Sequence, residues 1–465
     1  MTLIKTTKSV LRLFTITVSM LCVFACGNVN NFGIHANKSL FSVWDGVTRD
    51  PPEPIEGSST DFEINTAAQL AGLAVQTSFP ANHTYSLNVN IDLDKHKWTP
   101  IGYVETLGID NSFNGHFKGN GFIIKGLKIP DEEYSGLFGY VKGTTSKNAV
   151  IENLNIELAQ NSIISTTIFK VGALVGRAAY TNIKNISVRG GDLNIALSND
   201  VRFNAGGIVG FLEYARIENS FSGINVIIEN TSTVETAEAG GIVASIHYST
   251  VALCYSTGNI TSTGIISVYS GGIVGYSASS DISSCNTEGK ITAINKNNIY
   301  DNITSGSGAS AGGVLGFDGG NSNISSCYAL GNITADSIIN TVSAGGILGN
   351  YYNSVSFSIN ECAALNTIIT VSIANDFNSF AGRVSGRSAS HTNNTINNIA
   401  NKDMIVTKGT TTLTAIDNLN SQDGLGYPLN QLKGGTIYKA APLNWNPDVW
   451  VFPNNGYPKL KWQVQ

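Results

Sequence analysis

The chain has 465 residues, of which only 13% are charged, with 49 glycines, 11 prolines and 3 methionines. A formal net charge of −5 leaves no basic footprint and excludes nucleic acid as a partner. Charge at about half the usual ~25%, with many Gly, Asn, Ser, Thr, Ile and Val residues, predicts a β-rich body with many turns.

The first 26 residues read as an address. Lys5, Lys8 and Arg12 precede an apolar run from Leu13 to Ala25, too short and wrongly flanked for a spanning helix. The run ends in VFAC, a small residue directly before Cys26. That ending resembles a bacterial lipobox and implies that Cys26 is lipidated; an ordinary secretory signal with a chance cysteine is the alternative. Acyl chains contribute about 0.8 kcal/mol per buried CH₂, so the membrane becomes a partner and the cell envelope, outer membrane or surface, the expected location. Residues 27–60 contain PPEP and no periodicity and read as a flexible tether. Alternatively, SVWDG (42–46) is a first strand of the body.

Residues 61–135 read as an N-terminal cap and the first coils of a stacked fold. In NTAAQLAGLA (65–74), Asn65 or Thr66 is an N-cap and Leu70, Leu73 and Ala74 fall at helical spacing, predicting a short capping helix. In DLDKH (92–96), Asp92 and Asp94 would share one face of a strand and together hold Ca²⁺ or act as an acid–base pair. The alternative is that one carboxylate fixes a corner through backbone N–H groups while the other is solvated.

Over residues 136–410 a phrase recurs. GLFG ends at Gly139, GALVG at Gly176, GGIVG at Gly210, GGIVA at Ala244, GGIVG at Gly275, GGVLG at Gly316 and GGILG at Gly349, with a degenerate AGRVSG ending at Gly386. The steps are 37, 34, 34, 31, 41, 33 and 37 residues, a repeat architecture. Glycine pairs would cost about 1 kcal/mol per glycine in helices, so each unit reads as short strands separated by corners. Glycine serves corners that need φ > 0, or places where the adjacent coil leaves no room for a Cβ. The expected fold is all-β: a right-handed parallel β-helix with an N-terminal capping helix and a C-terminal aromatic cap. A β-propeller is the alternative, but its blades need about 40–50 residues.

Cys254, Cys285, Cys327 and Cys362 stand 10, 10, 11 and 13 positions beyond the end of their phrases, and Phe221 and Ile186 take the equivalent place in earlier units. A slot filled by Ile, Phe and Cys reads as an interior apolar ladder, with a disulfide or a metal site as the sharper alternatives. Serine at 285 would then strand a hydroxyl at a cost of about 1–3 kcal/mol. Asn295, in the spacer AINKNN, reads as exposed. Residues 411–465 read as the C-terminal cap, in which Trp445, Trp450, Trp462 and Tyr457 either plug the last coil or form a platform for sugars.

FEINTAAQLAGLA (62–74), YSLNVNIDLDKHKWTPIG (85–102), FNGHFKGNGFIIKGLKI (113–129), YSGLFGYV (134–141) and the Gly-Gly-Ile-Val-Gly phrases resemble bacterial GLUG-motif proteins. The closing WVFPNNGYPKLKW (450–462) resembles the end of such proteins. The resemblance implies a secreted or surface β-helix, adhesin-like, and in some relatives a module joined to immunoglobulin-cleaving metallopeptidases. GGIVA and AGRVSG depart from the pattern, which puts the packing of those two coils in doubt.

Catalytic motifs are absent from the sequence. It has no HExxH or GxSxG, and the histidines at 35, 83, 96, 116, 247 and 391 are scattered. The sequence elements of polygalacturonases and pectate lyases are missing, and Arg177, Arg189, Arg202 and Arg216 are too dispersed to define a substrate groove. The expected function is a lipid-anchored, monomeric, non-enzymatic scaffold without cofactor or metal, binding a host glycan, a host protein or an envelope protein along its flank. A polysaccharide lyase or hydrolase is the alternative.

Overall fold

The computed structural model describes residues 40–104, 110–165, 169–197, 202–231, 235–297, 308–338, 341–352, 356–373, 379–387 and 395–464. Cys26, and with it the signal and lipidation readings, lies outside the described residues.

One coil shows the plan. Phe203–Gly206 lies in a first ladder, Val209–Glu213 in a second, Arg216–Glu218 and Phe221–Ser222 in a third, and Val226–Asn230 in a fourth. Each strand pairs in parallel with its equivalents in neighbouring coils. The first ladder runs through eight strands, from Tyr134–Ser135 to Ser379–Gly382, and the second through seven, from Phe138–Lys142 to Leu348–Tyr351. The fold is a parallel β-solenoid, and no propeller blades occur among the described residues. Alternation sends Ala205, Ala239, Ser270, Ala311 and Ala344, all in register, to the interior.

Two questions left open by the repeat are resolved by the backbone. Positive φ at the corners falls mostly on other residues: Tyr180, Tyr214, Tyr248, Ser279 and Asn321 at one corner, and Asn185, Asn219, Leu253, Ser284, Ser326 and Glu361 at another. Gly139, Gly176, Gly210, Gly275, Gly316 and Gly349 instead stack in one line, because the residues flanking them pair coil to coil. Their need is space. A Cβ on Gly275 would stand 2.7 Å from the Ala239 carbonyl oxygen, and one on Gly272, in the pair before it, 2.1 Å from that of Gly313.

Cys254, Cys285, Cys327 and Cys362 are free thiols with no exposed surface. Each follows a left-handed residue, and each thiol donates to the carbonyl two residues earlier at 3.1–3.3 Å. Where it holds Cys or Ser the slot therefore does polar work as well as packing, satisfying a backbone carbonyl freed by the kink, whereas Ile186, after the left-handed Asn185, fills it with an aliphatic. Ser220 fills the same slot, donating to the Glu218 carbonyl at 2.8 Å and accepting from the Ile186 amide at 3.2 Å. Phe221 needs a correction. It stands one residue out of that register, paired with Tyr255 and packed tilted against its ring at 4.3 Å on the outer face. A one-residue shift turns a strand's side chains to the other face.

The N-terminal helix is Ala67–Leu73, and Thr66 and Gln69 form a capping box. The boundary at residue 60 moves outward: Phe41–Val43 pairs in parallel with Asn90–Asp92, and Trp44 is buried. The described part of the expected tether thus belongs to the body. Trp44 packs edge-on to Trp98 at 5.6 Å, an apolar contact a free tether could not keep.

The aromatic C-terminal segment lies elsewhere than over the last coil. Trp445 and Trp450 are buried with Leu432, Tyr438 and Leu460 against Tyr328, Ala363 and Ile399. The indole of Trp462 donates to the Leu253 carbonyl at 3.0 Å, and that of Trp445 to Glu361 at 2.7 Å. The segment runs back along the flank because the outward column Tyr255, Asn286, Tyr328, Ala363 and Ile399 is largely apolar and needs covering. Burial at 2% exposure leaves Trp445 and Trp450 no free face for a sugar.

Candidate functional site: a lateral groove

The glycine phrases turn the chain so sharply between the first and second ladders that the corner is re-entrant. Outward side chains of the two ladders converge across it. Tyr134 meets Tyr140 at 5.8 Å, Tyr269 meets Tyr276 at 6.0 Å, and Ser310 Oγ donates to the Gly316 carbonyl at 2.8 Å. The stacked glycines form the floor, where a Cβ on Gly210 would lie 2.7 Å from the Val171 amide nitrogen.

One wall is the register column Tyr134, Lys170, Asn204, Glu238 and Tyr269. The other is Tyr140, Arg177, Phe211, Ser245, Tyr276 and Phe317. Cations and rings alternate along the groove. The Arg177 guanidinium lies 5.0 Å from the Tyr140 ring and 5.7 Å from Phe211, and the Lys170 amine 5.3 Å from Phe211. Phe211 touches His247 at 4.9 Å, His247 touches Tyr276 at 5.7 Å, and Tyr269 stacks on Phe317 at 4.4 Å. At about 4.8 Å per coil, the strip from Tyr140 to Phe317 is about 24 Å long.

The middle of the groove carries its charge. Arg177 is paired with Glu213 at 3.1 Å. Burial pushes the Lys170 amine below its ordinary range, aided by Arg177 and opposed by Glu238. No carboxylate lies within ion-pair distance of Lys170 among the described residues. Glu238, 1% exposed, accepts from Asn204 Nδ2 at 2.5 Å. Burial raises its carboxyl to about 7, against the pull of Arg202, Ser245, Lys170 and Asn204. Three buried polar atoms in this region have no partner among the described residues: Asn204 Oδ1, Arg177 Nε and His247 Nε2.

Glu238 sets a pH dependence whose sign follows from the raised value. The fold favours the protonated acid, so its stabilising contribution is complete below about pH 4.5 and is lost as pH rises through about 7. Glu238→Gln, which cannot ionise, should gain on the wild type by on the order of 3 kcal/mol between pH 4.5 and pH 8. Urea unfolding of both proteins at the two pH values measures it; parallel pH profiles would show that Glu238 stays ionised.

Asp92 and Asp94 do not converge. The strand ends at Asp92, and Asp94 has φ +48°, so the shared face expected of i and i+2 is lost. Asp92 accepts from the Asp94 amide at 2.9 Å and pairs with Lys125 at 3.2 Å. No group of three potential metal ligands occurs among the described residues. Of the four dispersed arginines, Arg177 and Arg202 both act on the Lys170 amine at the groove. Arg189 lies over the Phe221 ring at 4.4 Å, and Arg216 pairs with Glu218 at 2.7 Å.

No known protein-family profile matches the chain. It is 28% identical over 187 residues to a protein of Evansella cellulosilytica provisionally named a Gly-rich membrane protein; the match covers 38% of this chain and 19% of that relative. The chain thus spans about a fifth of the length of the curated relative it matches. A crystal structure from Bacteroides ovatus, of a protein provisionally named an immunoglobulin A1 protease, superposes with a TM-score of 0.46 at 20% identity, over 87% of this chain and 93% of that one. No described helix is long and apolar enough to cross a membrane.

Proposed function

We propose that this protein is an envelope-associated, GLUG-like β-solenoid that binds a partner along its lateral groove without transforming it. The observation that carries the reading is the continuous strip of rings and cations from Tyr140 to Phe317, held on paired ladders. Rigid elements position binding groups better than loops do. Envelope association rests on the lipobox-like ending at Cys26 and on the membrane-protein name of the Evansella relative. Cys26→Ser should move the protein from the membrane fraction to the soluble one, and continued partitioning with membranes would sink the lipid anchor. For the groove, the full chain in detergent is applied to glycan and host-protein arrays beside Phe211→Ala. Loss of the bound spots in that variant supports the reading; an unchanged pattern contradicts it.

One observation favours the enzymatic alternative. Glu238, with its carboxyl raised to about 7, is a proton donor at neutral pH of the kind glycan cleavage uses. Release of reducing ends or unsaturated products from polysaccharides, abolished by Glu238→Gln, would replace binding with catalysis.

A further inference from the structure

We propose that the groove takes a glycan bearing carboxylates, with a sugar carboxylate seated between Lys170 and Arg177 and its hydroxyls met by Asn204 and Glu238. This rests on the groove being the binding face, and adds the chemistry of the occupant.

Charge points to an anion. With Arg177 balanced by Glu213 and Glu238 favouring its protonated form through burial, the Lys170 amine has no carboxylate within ion-pair distance among the described residues and feels Glu133 as a more distant charge. Hydrogen-bonding capacity points the same way. Among the described residues, Arg177 Nε and His247 Nε2 are buried without a partner, and Asn204, 1% exposed, has an unmet Oδ1. Buried polar atoms are almost always satisfied, and here a carboxylate would accept from Arg177 and His247 while a sugar hydroxyl donates to Asn204.

The rings favour a saccharide over an acidic peptide. An extended peptide docks by adding a strand to a free edge. Here the backbone groups of both walls are already spent in ladders with the coils on either side. A glycan needs only side-chain hydrogen bonds and ring faces. The coil spacing of about 4.8 Å is close to the length of one pyranose in a chain, so successive coils meet successive sugars.

The test is calorimetric titration of the full chain in detergent with oligomers of galacturonate, of mannuronate and guluronate, and of glucuronate–N-acetylglucosamine. Each is compared with its carboxyl-reduced counterpart. At least one acidic oligomer should bind about 10- to 100-fold more tightly than its reduced form. Lys170→Gln should bring that ratio close to one, whereas Phe211→Ala should weaken acidic and reduced forms together. Equal affinity for acidic and reduced forms, or tighter binding of a polyglutamate peptide than of any uronate, overturns the carboxylate assignment. If Phe211→Ala still lowers affinity in that case, the groove itself stands. Unchanged binding in folded Phe211→Ala overturns both. The wild-type comparison decides the carboxylate question even if Lys170→Gln fails to fold.

Discussion

Cys285→Asp should destabilise the solenoid by more than about 3 kcal/mol, enough to lower its urea midpoint sharply or leave it unfolded. The thiol it replaces has no exposed surface and lies between Cys254 and Cys327 of neighbouring coils. A carboxylate there finds a backbone carbonyl where the thiol donates, at Ser283, and no cation among the described residues lies beside the slot's thiols, which meet only carbonyls, amides and one another. Cys285→Ser should be nearly neutral, within about 1 kcal/mol, contrary to the cost that an apolar slot implies. Ser220 already performs both hydrogen bonds in that slot. Burial also pushes the Cys254 and Cys327 thiols well up, so a polar maleimide should spare them until the protein unfolds. Rapid labelling, or a Cys285→Asp variant as stable as wild type, would place the slot at the surface.

Arg383→Ala should destabilise the C-terminal end by about 1–3 kcal/mol, because it leaves the Asp423 and Gly424 carbonyls without their buried donor. Arg383 is 2% exposed; its side chain donates to the Asp423 carbonyl at 3.0 Å, to the Gly424 carbonyl at 2.8 Å and to the Asp417 carboxylate. Its amide donates to Asp423 Oδ1 at 3.0 Å. These contacts hold residues 416–427 across the open end of the last coil. The expected signature is early proteolysis within that segment, with thermal unfolding beginning at lower temperature. A variant as resistant as wild type would show that the end is held by other contacts, such as Leu413 on the core.

Arg383 also explains a departure in the repeat. In the degenerate AGRVSG it takes the place of the second glycine of the pair, as the Gly345–Gly382 pairing shows. In earlier coils that glycine lies under the carbonyl of the next coil, 2.2 Å from a Cβ on Gly346 to Arg383. At Arg383 the amide donates to the Asp423 carboxylate in place of a carbonyl of a following coil, so a side chain fits and is used to close the end.

The stacking was legible because close approach between coils forces glycine into one column, and the spacing of Gly176 to Gly349 follows from it. The groove was legible only in part. The residues directly after each phrase, Tyr140, Arg177, Phe211, Ser245, Tyr276 and Phe317, form one wall, and Lys170, Asn204, Glu238 and Tyr269, six before each phrase end, form the other. Reading those columns together requires knowing that the corner is re-entrant, and the sequence shows a tight corner but not its direction. Phe221 falls out of register because the slot in this coil lies 10 residues beyond Gly210, at Ser220 after the left-handed Asn219, as it does for Cys254 and Cys285, and not 11 as for Cys327. Asn295 reads as exposed from its polar neighbours, yet it is buried. It is 1% exposed and donates to the Ile265 and Ile266 carbonyls at 3.1 and 2.6 Å.

The most direct measurement of the groove's role is hydroxyl-radical footprinting of the full chain with and without a bound uronate oligomer. Oxidation at the part-exposed Phe211 and Tyr276 should fall on binding. The exposed corner stack of Tyr214 and Tyr248, 4.9 Å apart and 44% and 56% exposed, should oxidise equally in both samples. Protection of Tyr214 and Tyr248, or of Tyr457 and Trp462 on the aromatic flank, with Phe211 unchanged would contradict the assignment of the groove as the binding face.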